Sequence, residues 1–291
     1  MASSDVNGAG EALTVVVAAM REEVTALLPR LSNARRLNVG AGVSATIGRL
    51  GDTPVVVAVT GDGESNARRG LAALLASVPV GRVVVVGVAG ALDPTLGPAD
   101  VVCCDRVVDA AGGAVYAADA ALIDAAARVP GVRRGVAVTA GRIADTVAEK
   151  SRLLAIAMAT ATASAGDGAQ SPVAAVVDLE SAVFAAAAAR AGVPWLVWRA
   201  VSDTADEALP PLLNQSRDEG GAVRRGRVVR ALLGNPGALG QLLALRERVR
   251  AGAEELASAV TLTLATVAPL PAGVTAPGRT TSSVGVARTP L

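Results

Sequence analysis

The sequence predicts an α/β fold: a single domain with a mixed central β-sheet flanked by helices. Apolar runs of strand length alternate along the chain with segments of good helix formers, a pattern typical of α/β domains. The hydrophobic share is 52% and the aromatic share 1%, so Val, Leu, Ile and Ala must build the core. Those residues suit buried strands beneath Ala-rich helices. At 291 residues, one large core is the simplest arrangement.

The predicted strands are apolar runs, as expected for strands buried on both faces. A hairpin is predicted in residues 36–50, where Gly40, Ala41 and Gly42 supply the turn. In chain order, the other predicted strands are residues 13–19, 54–60, 82–88, 101–108, 132–140, 173–177 and 193–201.

The predicted helices carry good helix formers and signals at their ends. Thr146 and Glu149 form a capping box before one helix. Glu23 lies in the first turn of another helix, where the helix dipole favours carboxylates, so a purely structural role is open for it. A glycine turn opens the helix in 61–75, and its N–H groups can approach an anion, although an ordinary turn is the simpler interpretation. The predicted helices are residues 20–28, 61–75, 118–127, 150–159, 181–192, 222–233 and 236–256.

The domain is predicted to span residues 13–258, with C-terminal helices in 222–258. Residues 1–12 are predicted to be a disordered N-terminus. Residues 266–291 are predicted to be a disordered tail because they are rich in Pro, Gly, Ser and Thr. Residues 87–94 are expected to form a tight loop after a strand, and residues 209–214 an irregular crossing.

The residue types that the chain lacks exclude several kinds of chemistry. With no His, a Ser-His-Asp triad, the usual zinc sites and a His proton shuttle are ruled out. Lys150 is the only lysine, and no P-loop motif surrounds it. Cys103 and Cys104 are adjacent in a predicted strand, so they point to opposite faces and are not expected to form a disulfide. Carboxylates are left for proton transfer, and no cofactor or metal is predicted.

The charge pattern argues against a nucleic-acid partner. The 27 basic residues are dispersed among 26 acidic ones, for a net charge of +1, without a basic stripe. The chain opens on small and acidic residues rather than on a secretory signal. The longest uncharged stretch, residues 257–278, is broken by prolines, so no transmembrane segment is predicted. We expect a cytoplasmic protein, in keeping with two free thiols, that acts on a small molecule.

Polar side chains follow two predicted strands on either side of an Ala-rich helix. Asp178 and Glu180 follow the first strand, and Arg199 and Asp203 lie at the end of the second. In a parallel sheet the carboxyl ends of both strands share one edge, where ligands of open α/β sheets bind. The sequence therefore predicts that Glu180, Arg199 and Asp203 meet in one site. A turn cap at Asp203 and a structural ion pair between Arg199 and Glu180 are the alternatives.

Three segments together resemble the purine nucleoside phosphorylase and nucleosidase superfamily, in the branch of the methylthioadenosine/S-adenosylhomocysteine nucleosidases. They are AAMREEV after the first strand, VGVAGALDPTLGPADVV in the middle and VDLESAVFAAAAARAGVPWLVWRAVSD near the end. They occur in the family's order and spacing, and with TGDGESNA they span residues 13–207. LPPLLN and the helices after it resemble the hopanoid-associated branch, whose members are thought to remove adenine from a 5'-lipid-substituted adenosine.

The resemblance implies a nucleoside phosphorylase-like fold, a homodimer and an enzyme that cleaves the N-glycosidic bond of a purine nucleoside. Asp203 of RAVSD would be the general acid that protonates the purine at N7. Glu23 of MREE would be the base that orients or deprotonates the attacking water. Such cleavage builds positive charge on the sugar and negative charge on the base, so acidic groups beside both are what the transition state needs.

The resemblance also implies which residues bind the nucleoside substrate. Glu180 of VDLES would bind the ribose hydroxyls, and Arg199 would hold the acidic site together. Leu179 would lie against the nucleoside. Val88 and Gly90 belong to the central glycine segment, which would also contact the substrate.

The chain departs from the phosphorylases of this superfamily at two positions. Those enzymes hold phosphate with an Arg and a hydroxyl residue, and Val85 and Val88 stand at the matching positions here. A doubly charged phosphate would be poorly neutralised without those donors, which favours water as the nucleophile. The sequence therefore predicts a nucleosidase for a purine, and specifically a 5'-substituted adenine, nucleoside. Phosphorolysis, including that of a hopanoid-linked adenosine, and a non-catalytic nucleoside-binding family member are the alternatives.

Overall fold

The computed structural model describes residues 11–164, 174–216 and 238–270. In these ranges ten strands form one mixed sheet with helices packed against it, which confirms the predicted fold class. The hairpin begins slightly earlier than predicted, and its turn contains the predicted glycines. The strands are β1 (Leu13–Ala18), β2 (Ser32–Leu37), β3 (Ser44–Leu50), β4 (Thr53–Val59), β5 (Val80–Ala91), β6 (Val101–Asp109), β7 (Val115–Ala117), β8 (Arg133–Thr139), β9 (Ala174–Asp178) and β10 (Trp195–Asp203).

The helices agree with the sequence except at the start of the chain and at residues 212–215, which form a short helix overlapping the segment predicted to be an irregular crossing. The prediction of a helix at residues 20–28 is wrong. The segment forms two short 3₁₀ turns instead, Arg21–Val24 and Leu28–Arg30. The Glu23 carboxylate accepts hydrogen bonds from the backbone N–H groups of Met20 and Val88, so this segment turns along the sheet edge instead of extending as a helix. The α-helices of the described ranges are α1 (Glu64–Ser77), α2 (Ala120–Ala126), α3 (Val147–Ser164), α4 (Ser181–Arg190), α5 (Leu212–Gln215) and α6 (Ala238–Thr266).

Strand β5 is the centre of the sheet, and it is longer than predicted. The prediction of a tight loop at residues 87–94 is wrong for residues 87–91, because β5 continues to Ala91. On one side, its first half pairs with β1 up to Val85 and its last two residues pair with β9. On the other side, Val83 to Gly90 pair with β10. Gly87 pairs with β10, and Gly90 pairs with both β10 and β9, so these glycines extend a strand instead of opening a turn.

The strand pairings close a ring of five strands. β5 pairs with β10, β10 with β6, β6 with β8, β8 with β9, and β9 again with β5. The expectation that β9 and β10 run parallel is wrong, since β10 is parallel to β5 and β9 is antiparallel to it. Their carboxyl ends still meet, because Gly90 of β5 pairs with Asp203 on one side and with Val177 on the other.

The two faces of the sheet carry separate apolar layers. Cys104 belongs to the layer under α1 and α4, whereas Cys103 packs in the layer under α2 and α6, so the adjacent thiols point to opposite faces as predicted. Both are unpaired, and burial raises the pKa of the Cys103 thiol to about 12. Neither thiol is therefore a nucleophile at neutral pH.

The C-terminal part of the chain closes one face of the sheet. Helix α6 runs past the predicted domain end at residue 258 to Thr266, and its second half is buried against β10 and α2. The predicted helix at 222–233 and residues 271–291 of the predicted tail lie outside the described residues. Within those residues, no helix combines the length and the apolar character needed to cross a membrane.

Gly252 lets α6 approach the sheet closely. A Cβ atom at this position would lie 2.8 Å from the Cβ of Ala200 on β10, whereas at Gly240 of the same helix it would meet nothing within 4 Å. We predict that Gly252→Ala lowers the free energy of unfolding by about 1–3 kcal/mol relative to Gly240→Ala, because strand β10 cannot move aside. Both variants gain the same helix propensity, so the difference isolates the contact. Urea denaturation of the two variants measures it, and equal stabilities would contradict the packing described.

Candidate active site

A cavity of about 650 Å³ opens where β5, β9 and β10 end. Six of the residues predicted from the sequence line it, and the seventh, Arg199, pairs with Asp178, which also lines it. The carboxyl groups of Glu23, Glu180 and Asp203, which lie in separate segments of the sequence, thus share one cavity. The six lining residues are Glu23, Val88, Gly90, Leu179, Glu180 and Asp203.

Glu23 is a buried carboxyl group that is fixed at both oxygens. Its Oε2 accepts the N–H of Met20 at 2.8 Å and its Oε1 accepts the N–H of Val88 at 3.0 Å. Burial raises the pKa of Glu23 from 4.5 to about 7, with a smaller contribution in the same direction from Glu180, although Arg199 and the two backbone bonds oppose the shift. A carboxylate with a pKa near neutrality is suited to accept a proton and release it again.

Arg199 organises the buried charge behind the cavity. Its Nε lies 2.7 Å from Oδ2 of Asp178, and its Nη2 donates to the Ser181 hydroxyl at 2.7 Å. Burial alone would lower the pKa of Arg199, but Asp178, Glu23 and Glu180 outweigh it and hold the pKa above its ordinary value. The guanidinium therefore stays charged and compensates several carboxylates at once.

Asp178 holds this arrangement in place from the end of β9. Its Oδ1 accepts the Thr139 hydroxyl at 2.8 Å and the N–H of Ser181 at 3.2 Å, while Oδ2 pairs with Arg199. Arg199 therefore forms an ion pair with Asp178. The alternative predicted from the sequence was an ion pair between Arg199 and Glu180. Asp178 also lines the cavity.

Glu180 is held by the glycine turn before α1. Its Oε1 accepts the N–H of Gly63 at 2.9 Å, and Gly63 has a φ of 90°, a backbone conformation that favours glycine. The anion near this glycine turn is thus a carboxylate of the protein itself. Glu180 follows β9 directly and precedes α4, so the strand end and the turn fix it together.

Asp203 lies at the end of β10 and is only 3% exposed. Its Oδ1 accepts the Ser202 hydroxyl at 2.6 Å, and its Oδ2 lies 2.6 Å from Nζ of Lys150 on α3. The carboxyl group is therefore directed into the cavity that Glu180 also lines, rather than into solvent.

Two glycines of β5 make room for these charged groups. A Cβ atom on Gly87 would lie 1.8 Å from Nη1 of Arg199 and 2.8 Å from Oε1 of Glu23, and one on Gly90 would lie 2.8 Å from Oδ2 of Asp203. Any side chain at position 87 would displace the guanidinium. The motif GVAGA therefore matters because it lets charged side chains approach the backbone of β5.

The outer wall of the cavity is largely apolar. Leu209, in the segment after β10, and Leu213, on α5, line it. Three side chains of α6 also line it: Leu242, Leu245 and Val249. Arg142, Arg246 and Arg250 also line the cavity, and all three are exposed. Within the described ranges, no group of three or more His, Cys, Asp or Glu side chains is arranged to hold a metal ion.

Sequence reasoning missed three residues of the site. The sequence predicted no role for Lys150, although it is the only lysine of the chain. It also predicted no role for Ser202, although this residue directly precedes Asp203. Asp178 was recognised as part of an acidic pair, but the contact to Arg199 was assigned to Glu180. The position of Asp178 at the strand end was a local signal for its role, whereas nothing local connects Lys150 to residue 203.

The fold and the cavity define an α/β protein with acidic side chains gathered at converging strand ends. The model of the phosphorylase superfamily matches residues 14–234, and the chain belongs to that superfamily. A 5'-methylthioadenosine/S-adenosylhomocysteine nucleosidase of Geobacillus thermodenitrificans is 29% identical over 209 residues, which cover 66% of this chain and 84% of that protein.

Two solved structures show the same fold at low sequence identity. A 5'-methylthioadenosine/S-adenosylhomocysteine nucleosidase of Colwellia psychrerythraea in complex with adenine is 20% identical, with a TM-score of 0.66 over 89% of this chain and 96% of that one. Futalosine hydrolase of Helicobacter pylori is 17% identical, with a TM-score of 0.65 over 87% of this chain and 97% of that one.

The raised pKa of Glu23 predicts how stability depends on pH. Between pH 4.5 and about 7 the folded protein keeps a proton on Glu23 that the unfolded chain has lost, so stability falls as pH rises through this window. The loss is on the order of 3 kcal/mol and is complete above pH 7. We predict that Glu23→Gln removes this slope. Urea unfolding at several pH values tests it, and parallel curves for the two proteins would contradict the assignment.

Proposed function

We propose that the protein is a nucleosidase that hydrolyses the N-glycosidic bond of a purine nucleoside, with 5'-substituted adenine nucleosides as its substrates. The observation that supports this most directly is the presence of Glu23, Glu180 and Asp203 in one buried cavity. The names of the curated relatives support the same substrate class, since they are nucleosidases of 5'-methylthioadenosine and S-adenosylhomocysteine.

In this proposal Asp203 is the general acid. As the bond between C1' and N9 breaks, its electron pair moves into the purine, and Asp203 donates its proton to N7 so that the base leaves neutral. The Ser202 hydroxyl donates to Oδ1 of Asp203 and thereby orients the carboxyl group. An acid in this position contributes about a hundred- to ten-thousand-fold to the rate.

Glu23 is the base, and Glu180 binds the sugar. The oxygen of a water molecule bonds to C1', and the proton that water loses passes to Glu23, whose pKa of about 7 permits both uptake and release. The Glu180 carboxylate, fixed by Gly63, accepts hydrogen bonds from the ribose hydroxyls and stabilises the positive charge on the sugar. The cycle closes when Glu23 returns its proton to solvent and Asp203 takes one up.

Water is a better nucleophile for this site than phosphate. The N–H of Val88, which would face an anion, already donates to Glu23. A phosphate ion at this point would lie beside buried carboxylates, and the arginines that line the cavity, Arg142, Arg246 and Arg250, are all exposed. Repulsion between these anions therefore favours hydrolysis over phosphorolysis.

The apolar outer wall fits an apolar 5' substituent. Leu213 and Leu242 lie on opposite elements of that wall, α5 and α6. A hopanoid-linked adenosine stays a prediction for this part of the substrate. The homodimer and the cytoplasmic location also stay predictions, which light scattering and cell fractionation test.

We predict that the protein releases adenine from 5'-methylthioadenosine at a rate that does not depend on phosphate. Chromatography of the products with and without phosphate measures this. Formation of a ribose 1-phosphate only when phosphate is present would show phosphorolysis instead. Release of no base from any 5'-substituted adenosine would exclude the proposed reaction.

We predict that Asp203→Asn lowers kcat by about 10² to 10⁴, because an amide cannot supply the proton to N7. Asp124→Asn, which removes an exposed carboxylate on α2, serves as the matched control and keeps the kcat of the unmodified protein. Calorimetric titration with adenine separates catalysis from binding. A variant that keeps both turnover and affinity would show that Asp203 is not the acid, and a protein that binds adenine without turnover would be a binding member of the family.

A further inference from the structure

We infer that Lys150 is a positioning residue for Asp203: it orients the carboxyl group and compensates the negative charge that remains after the proton has passed to the departing base. The inference rests on the proposed function, because it takes Asp203 as the acid. Lys150 has no contact with the cavity itself, so it acts on the reaction only through Asp203 and the segment behind it.

Lys150 places its ammonium group among three oxygen atoms. Nζ lies 2.6 Å from Oδ2 of Asp203, 2.5 Å from the carbonyl oxygen of Thr204 and 2.9 Å from that of Glu207. An ammonium group has three hydrogens, so each oxygen receives one. The side chain is 1% exposed, which means that a buried charge is fully matched by its partners.

Asp203 has no other cation within reach in the described part of the chain. Arg199, the other fully buried cation near the cavity, pairs with Asp178. Without Lys150, the carboxylate that Asp203 becomes after proton transfer would be buried with only the Ser202 hydroxyl as a donor, and an uncompensated buried charge is strongly unfavourable.

The proposed chemical step creates a negative charge on Asp203, and Lys150 stabilises this charge. When Asp203 gives its proton to N7, it becomes a buried anion, and the adjacent ammonium stabilises that anion. The interaction is stronger after proton transfer than before it. Only interactions of this kind lower the barrier, since equal stabilisation of both states does not accelerate the reaction.

Lys150 also connects the acid to the cavity wall. The carbonyl groups of Thr204 and Glu207 belong to the segment that leads from Asp203 to Leu209, which lines the cavity. A lysine suits this position because three separate oxygens surround one nitrogen, whereas the planar fork of an arginine matches two oxygens of one carboxylate.

A double-mutant cycle with 5'-methylthioadenosine tests the inference. Lys150→Met is expected to lower kcat about tenfold or more, but by no more than Asp203→Asn does, with KM little changed. In the Asp203→Asn background the same substitution is expected to cost nothing further. Arg152→Met, which removes an exposed cation from the same helix α3, is the matched control and keeps kcat unchanged. If Lys150→Met does not fold, Lys150→Arg carries the same cycle, because it keeps the charge and loses the three-oxygen geometry.

The outcomes separate the two proposals. If the unmodified protein is active and Asp203→Asn is not, the proposed function stands, and an unchanged kcat in the Lys150 variant overturns the inference alone. Losses of kcat that multiply in the double variant also overturn it, because Lys150 would then act independently of Asp203. An unmodified protein that releases no adenine overturns the proposed function and, with it, the role of Lys150.

Discussion

The site depends on the compensation of buried negative charge. Four buried carboxyl groups line one cavity, and burial of an anion without a partner is costly. Two buried cations meet this requirement, Arg199 for Asp178 and, in the proposed reaction, Lys150 for Asp203 once its proton has left. The backbone N–H groups that bind the remaining two carboxylates complete it. Acidic groups can therefore stay buried close together without destabilising the fold.

The topology of β5 brings these groups together. One long strand pairs with β10 on one side and ends against β9 on the other, so the carboxyl ends of all three converge at Gly90. Gly87 and Gly90 leave the space that Arg199 and Asp203 need beside the backbone. The sheet thus supplies both the convergence and the room, and α6 covers the face on which the cavity opens.

The sequence predicted most strands and six residues of the cavity, because apolar runs and polar strand ends are local signals. It did not predict the closed ring of strands, since strand pairing depends on partners far apart in the chain. Glu180 and Asp203 were correctly brought together, but for a partly wrong reason, as β9 does not run parallel to β10. Lys150 was missed because its contact to Asp203 spans 53 residues and leaves no pattern in either segment.

In the proposed reaction, carboxyl groups alone cleave the bond, one behind the base and two beside the sugar. A crystal structure of the protein with adenine bound tests this claim most directly, because it shows which group faces N7. The account predicts a carboxyl oxygen of Asp203 within hydrogen-bonding distance of N7, with Lys150 still on the other side of that carboxyl group. Adenine bound with N7 directed away from Asp203, or outside the cavity that Glu180 lines, would contradict it.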